Sequence, residues 1–160
     1  MRTYADTSFL AKLVAPEAGS EAVVAEVRRL DHPRLFYLPL HALELTNAIR
    51  QRAFHLRRTA PKRERAFIPR ERDASLARID RWLARGWLLE VDLDLTDAIA
   101  RARALSAHHT ERLGCRVFDV LHVACALALG SERFLTADAV QGTLARATGL
   151  VTRVIGRTEG

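Results

Sequence analysis

Short apolar runs alternate with longer amphipathic stretches along most of this 160-residue chain. Residues 2–5, Leu35–Leu38, Trp87–Val91, Phe134–Thr136 and Val151–Ile155 have the length and composition of strands buried on both faces. Between them the apolar positions recur at helical spacing. Ala22, Val23 and Val27 mark a helix that follows Gly19-Ser20 and runs through Leu30. Leu45, Ala48, Ile49 and Ala53 share one face of a helix that Pro39 is suited to start. Leu76, Ile79 and Leu83 do the same between Ala74 and Arg85. Leu95–Ser106, the run opening at Asp119, and residues 138–147 complete the helical set. Asp6-Thr7-Ser8 supplies a helix cap directly after the first strand.

Two segments depart from this alternation. Residues 107–116 are polar and predict a loop, with His108 and His109 solvated in it. Residues 57–73 hold Arg57, Arg58, Lys62, Arg63, Arg65, Arg70 and Arg72, interrupted by Pro61 and Pro69 and diluted by Glu64, Glu71 and Asp73. They predict a basic loop or helical hairpin projecting from a single domain that spans residues 1–160. Strands separated by helices require right-handed crossovers. The predicted fold class is therefore α/β: a three-layer α/β/α sandwich with a mostly parallel central sheet.

Composition narrows the class without naming a function. Apolar residues make up 49% and charged residues 28%, an ordinary globular balance. No apolar run has membrane-spanning length. Arg2, Asp6 and Lys12 make the N-terminal stretch a poor signal peptide, so a cytoplasmic location without a membrane partner is expected. Cys115 and Cys125 form no C-x-x-C pair, which argues against a disulfide scaffold or a cysteine zinc site; Cys125 reads as a buried small residue. The net charge of +6 is nearly all arginine and is compatible with a polyanionic partner, although codon usage alone also enriches arginine.

The candidate chemistry lies in four acids. Asp6 and Asp138 follow apolar runs, Glu44 stands in the first turns after another, and Asp119 stands at a helix start. Open α/β sheets bind ligands beyond the carboxyl ends of their strands, so this architecture can gather all four at one rim. Clustered carboxylates repel one another. An oxygen-only set without nearby cysteine favours Mg²⁺ or Mn²⁺, ions that activate water and stabilise a phosphodiester's leaving oxygen. Each acid also has a simpler reading: Asp6 as a helix cap, Asp119 and Asp138 as helix-dipole charges, Glu44 as a solvated flank. Among the four, Asp6 and Asp119 are the principal expected ligands, Glu44 the third and Asp138 the most replaceable.

The segments Tyr4-Ala5-Asp6-Thr7-Ser8-Phe9-Leu10, Leu43-Glu44-Leu45-Thr46-Asn47-Ala48, Asp119-Val120-Leu121-His122-Val123-Ala124 and Phe134-Leu135-Thr136-Ala137-Asp138 together resemble the PIN domain, specifically a VapC-type toxin ribonuclease of a toxin–antitoxin pair. The resemblance spans nearly the whole chain. It implies a parallel sheet between helices and an acidic pocket of Asp6, Glu44, Asp119 and Asp138. It implies Mg²⁺- or Mn²⁺-dependent cleavage of RNA to a 5′-phosphate and a 3′-hydroxyl. Thr136 would orient a ligand or water, with Thr7 and Ser8 as weaker candidates for that role. A homodimer and a cognate antitoxin, whose tail enters the active-site groove, are the implied protein partners. Residues 57–73 are longer and richer in arginine than the family pattern. Arg112 and Arg116 stand shortly before Asp119 and are candidates to meet RNA phosphates, as is the 57–73 run; a solvated face is the alternative. His122, one turn after Asp119, is expected to pack and not to act as a base. The competing functions are a PIN nuclease of housekeeping RNA processing, a non-cleaving RNA-binding PIN module and a metal-dependent phosphatase.

Overall fold

The computed structural model describes residues 1–155. Its strands are β1 (Thr3–Ala5), β2 (Leu35–Tyr37), β3 (Leu88–Glu90), β4 (Arg133–Thr136) and β5 (Val151–Val154). Its helices are α1 (Thr7–Val14), α2 (Ser20–Arg29), α3 (Pro39–Thr59), α4 (Ile68–Ala84), α5 (Leu95–Leu113), α6 (Val117–Ala128) and α7 (Ala139–Ala147). All strand pairings are parallel and the sheet order is β3-β2-β1-β4-β5. The α/β/α sandwich expected from the alternating pattern is the observed fold.

Side-chain alternation along the strands divides the core between the two faces of the sheet. Ala5 and Leu135 join Phe9, Leu10, Val14, Leu45 and Ile79 on the face covered by α1 to α4. Tyr4 and Phe134 join Ala98, Val120, Val123 and Leu144 on the face covered by α5 to α7. Tyr4, Phe9 and Phe134 are fully buried, and burying each such ring contributes roughly 1.5–3 kcal/mol. Among the described residues no helix is long and apolar enough to cross a membrane.

Three boundaries differ from those predicted. Residues 107–113 are not a loop: α5 continues to Leu113 and stops at Gly114, whose φ of 69° is left-handed. Only Ala98 is buried along α5, so the polarity of residues 107–113 is that of an exposed helix. His108 and His109 therefore sit on a helix. α4 begins at Ile68, six residues before Ala74, with Pro69 in its first turn. α3 runs to Thr59, so the basic segment is the tip of an α3–α4 hairpin joined by residues 60–67.

One glycine sets how closely α7 approaches the sheet. A Cβ at Gly142 would collide with the Val154 side chain and stand 3.3 Å from the Thr136 methyl. Glycine to alanine inside a helix normally stabilises by about 0.5–1 kcal/mol. Here overpacking reverses the sign: Gly142→Ala is expected to destabilise by about 1–3 kcal/mol in urea unfolding. A neutral or stabilised variant would contradict this packing.

Candidate active site

Chain topology selects the place. Successive strands leave β1 in one direction towards β2 and β3, whereas β4 and β5 lie on its other side. The carboxyl ends of β1 and β4 thus flank the switch point, where open sheets leave a crevice. Asp6 follows β1 directly and Asp138 comes two residues after β4, with the Asp6 N–H bonded to the Leu135 carbonyl at 3.0 Å.

Asp6 is buried, at 2% exposure. Its Oδ1 accepts the Phe9 N–H at 2.9 Å, which makes Asp6 the N-cap of α1. The Ser8 hydroxyl lies 2.9 and 2.8 Å from its two oxygens, and the Thr136 hydroxyl donates to Oδ2 at 2.8 Å. Each hydrogen bond to a charged group contributes about 1.5–3 kcal/mol. Burial nevertheless pushes the Asp6 carboxyl above its ordinary range, and these bonds together with the His122 charge offset only part of that rise. Ser8 and Thr136 also accept the N–H groups of Ala137 and Asp138, both at 2.9 Å. The same two hydroxyls therefore hold Asp6 and shape the turn that carries Asp138.

Glu44, in the second turn of α3, is held differently. Its Oε2 accepts the Thr7 hydroxyl at 2.9 Å and His122 Nε2 at 2.5 Å. A carboxylate only accepts, so Nε2 carries a proton; Nδ1 lies 2.8 Å from the Tyr4 hydroxyl. Burial would raise the Glu44 carboxyl, but the His122 and Thr7 contacts outweigh it and leave the carboxyl below its ordinary range. Beneath this chain lies His41, fully buried and 5.1 Å from the His122 ring. Its Nδ1 accepts the Leu38 N–H at 3.0 Å, so Nε2 donates to the Ala5 carbonyl at 2.9 Å. Burial, then repulsion from His122, hold the His41 imidazole down to about 3, so it stays neutral. It pins the end of β1 to the start of α3, and thereby Asp6 to Glu44.

Asp119 and Asp138 share one arginine. Asp119 accepts the Arg116 backbone N–H at 2.8 Å, and Asp138 caps α7 through the Gln141 N–H at 2.9 Å. The Arg116 side chain, 76% exposed, lies 3.3 Å from Asp119 Oδ2 and 3.1 Å from Asp138 Oδ2. Helix capping, the simpler reading of Asp6, is realised there; Asp119 and Asp138, read more simply as helix-dipole charges, do stand at helix starts, and Asp138 is itself a cap. Capping occupies one oxygen of Asp138 and leaves the other directed at Arg116.

All four acids line one cavity of about 300 Å³, together with Thr7, Ser8, Arg116, Phe118 and His122. Thr136 reaches it through Asp6. Arg112 is not at this cavity: it is exposed on the last turn of α5, beside His109 at 3.3 Å. His122 is buried as expected, yet its ring nitrogens face Glu44 and Tyr4. Its i, i+3 spacing from Asp119 places both on one helix face, the signal that could have brought it into the site. Gln141 and His41 gave no such signal.

As placed, no three acids, histidines or cysteines among the described residues stand close enough to ligate one ion. Glu44 is turned to His122, and Asp119 and Asp138 to Arg116. The donor chemistry still suits a hard cation: four carboxylates around one cavity, none paired with sulfur. A cation displacing the exposed Arg116 side chain would meet Asp119 and Asp138 beside Asp6.

The raised Asp6 value gives such binding a pH dependence of definite sign. Folded Asp6 holds its proton more tightly than the unfolded chain, so its ionisation costs stability as pH rises through the raised value. A bound cation needs the ionised form. Mn²⁺ is therefore expected to raise Tm more at mildly alkaline than at mildly acidic pH, with a gain of about 2.7 kcal/mol at ~100-fold excess over Kd. A shift equal at both pH values, or absent from both, would contradict the site.

The sequence profile of the PIN domain matches residues 3–147. No curated protein sequence matches the chain. Solved structures do. VapBC2 from Rickettsia felis, bound to a DNA fragment from their promoter, aligns over 97% of this chain and 99% of that one at a TM-score of 0.62 and 13% identity. FitAcB from Neisseria gonorrhoeae aligns over 94% and 95% at a TM-score of 0.59 and 14% identity. PAE2754 from Pyrobaculum aerophilum aligns over 95% and 89% at a TM-score of 0.54 and 14% identity. At these identities the likeness is one of fold. The profile match covers most of the chain, and the protein belongs to the PIN domain family.

Proposed function

We propose that this protein is a metal-dependent endoribonuclease that acts as the toxin of a type II toxin–antitoxin pair. One observation carries the reading: Asp6, Glu44, Asp119 and Asp138, contributed by separate elements, line a single cavity at the switch point of the sheet. Mg²⁺ or Mn²⁺ held by Asp6, Asp119, Glu44 and Asp138 would supply Lewis-acid stabilisation of charge on the scissile phosphate. Ser8, Thr136 and the Phe9 N–H hold Asp6 in one orientation. His122 and Thr7 fix Glu44, so His122 positions a carboxylate and carries no proton to or from RNA. Arg116 is the residue free to change partner: its exposed guanidinium suits a phosphate as well as it suits Asp138. The starts of α1, α6 and α7 lie at the same rim and favour an anion there.

The toxin role is supported by the PIN family membership and by the fold shared with VapBC2 and FitAcB. A cognate antitoxin and a homodimer belong to the same proposal. Leu95 and Ile99, exposed one turn apart on α5, suit a contact between copies. A housekeeping PIN nuclease would use the same site. Growth arrest on expression, relieved by the product of a neighbouring small gene, separates the two.

Asp6→Asn and Asp119→Asn are expected to lose RNA cleavage by more than the roughly 10–100-fold typical of groups that only orient a metal ligand. Both should keep the wild-type circular dichroism spectrum. Chelation should abolish cleavage and added Mn²⁺ restore it. Cleavage that persists in chelator, or in folded Asp6→Asn, would refute the mechanism.

A further inference from the structure

The charge of this protein is concentrated away from its acidic pocket. Residues 57–73 carry seven cations against three acids, a net +4 of the chain's +6. Arg63 and Arg72 pair with Glu64 and Asp73. Arg57, Arg58, Lys62, Arg65 and Arg70 pair with no acid among the described residues. A merely solvated hairpin tip explains cations but not exposed aromatic rings. Phe54, Phe67 and Phe118 are the exposed aromatic side chains among the described residues, at 53%, 55% and 50%. Phe54 stands just before the basic segment, Phe67 lies within it, and Phe118 lines the acidic cavity. The Arg58 guanidinium lies over the Phe54 ring, 5.4 Å from its centroid.

Helix α3 joins the two places. Glu44, Ala48, Gln51, His55 and Arg58 recur at intervals of three and four, which keeps them on one face of the helix. Gln51, His55 and Arg58 are exposed along it. Arg58 lies about 21 Å along the axis from Glu44 at ~1.5 Å per residue. That span is about six stacked nucleotides at ~3.4 Å each.

We propose that the α3–α4 hairpin tip is a second RNA-contact surface, which grips unpaired or looped RNA by its phosphates and stacks bases on Phe67 and Phe54 while the same strand enters the acidic cavity. Guanidinium groups and aromatic faces together suit single-stranded RNA, whose bases are free to stack. An acidic protein segment would use the cations but has no need of the rings. The inference rests on the ribonuclease reading for the identity of the polymer. It deepens that reading by naming the substrate class: an RNA long enough to span both surfaces, in preference to a short oligonucleotide.

The test is fluorescence anisotropy in the Asp6→Asn background, which leaves the probe intact, with single-stranded RNAs of about 20 and about 4 nucleotides. The triple variant Arg58→Gln/Lys62→Gln/Arg65→Gln is expected to bind the long RNA more weakly, with a salt-dependence slope lowered by about 2, at ~0.7 per lost phosphate contact. Phe67→Ala should weaken long-RNA binding by roughly 5- to 150-fold, the equivalent of ~1–3 kcal/mol per stacked base. Both losses should be smaller for the short RNA, which cannot reach from the cavity to the hairpin, and both variants should keep the wild-type circular dichroism spectrum. Unchanged affinity and slope for the long RNA in folded variants would overturn the inference. So would loss of binding to a poly-glutamate peptide with RNA binding retained, which would make the surface a protein dock. Hairpin-dependent RNA binding by a wild-type chain that cuts nothing would leave this inference standing and sink the nuclease reading. Cleavage with hairpin-independent binding would do the reverse.

Discussion

The Asp6 carboxylate, buried at the end of the central strand, is the constraint around which the rest of the site is arranged. A charge at 2% exposure is costly unless it is bonded. Here the bonds come from two different places: the Ser8 hydroxyl and Phe9 N–H in the first turn of α1, and the Thr136 hydroxyl at the end of β4. Those donors can meet only because β1 and β4 are neighbours in register, with Ala5 opposite Leu135. Gly142 lets α7 lie close enough to β4 and β5 to set Asp138 at the same rim. The fold therefore assembles the site, and its residual cost shows in the raised Asp6 carboxyl. A cation would remove that cost.

Local stability and proposed chemistry draw on the same side chains. Asp6 and Asp138 cap helices, and Asp119 bonds back to the N–H before α6. A cap contributes about 0.5–2 kcal/mol, so the helices gain from acids whose remaining oxygens face the cavity. Glu44 is the exception. It caps nothing, and its orientation comes from a buried chain of Tyr4, His122 and Thr7. That difference explains why two histidines lie under a site whose expected ligands are all carboxylates.

Much of this was legible in the sequence. The period-two and period-3.6 patterns gave the order of strands and helices, and the crossover rule gave the parallel sheet. The positions of Asp6, Glu44 and Asp138 after apolar runs placed them at the carboxyl end, Asp119 was legible only as the start of a helix, and the PIN-like segments named the set. What was missed has physical reasons. Residues 107–113 read as a loop because a helix buried only at Ala98 shows little apolar periodicity. His122 read as packing because its neighbours Val123, Ala124 and Cys125 are core, while its polar partners Tyr4 and Glu44 are more than seventy residues away in the chain. Arg116 was expected to meet phosphate; its bridging of Asp119 and Asp138 depends on a turn geometry that spacing does not reveal.

The basic hairpin and the acidic cavity are opposite in charge and joined by one helix. Arg116 lines the cavity, bound to its carboxylates and exposed to any incoming phosphate. In the proposed function, the buried Asp6 holds a cation. Isothermal titration of Mn²⁺ into the wild-type protein and into Asp6→Asn, both shown to be folded, tests it most directly. The wild type is expected to bind Mn²⁺ saturably, and the variant about tenfold or more weakly. Equal binding by both proteins, or none by the wild type at millimolar Mn²⁺, would contradict it.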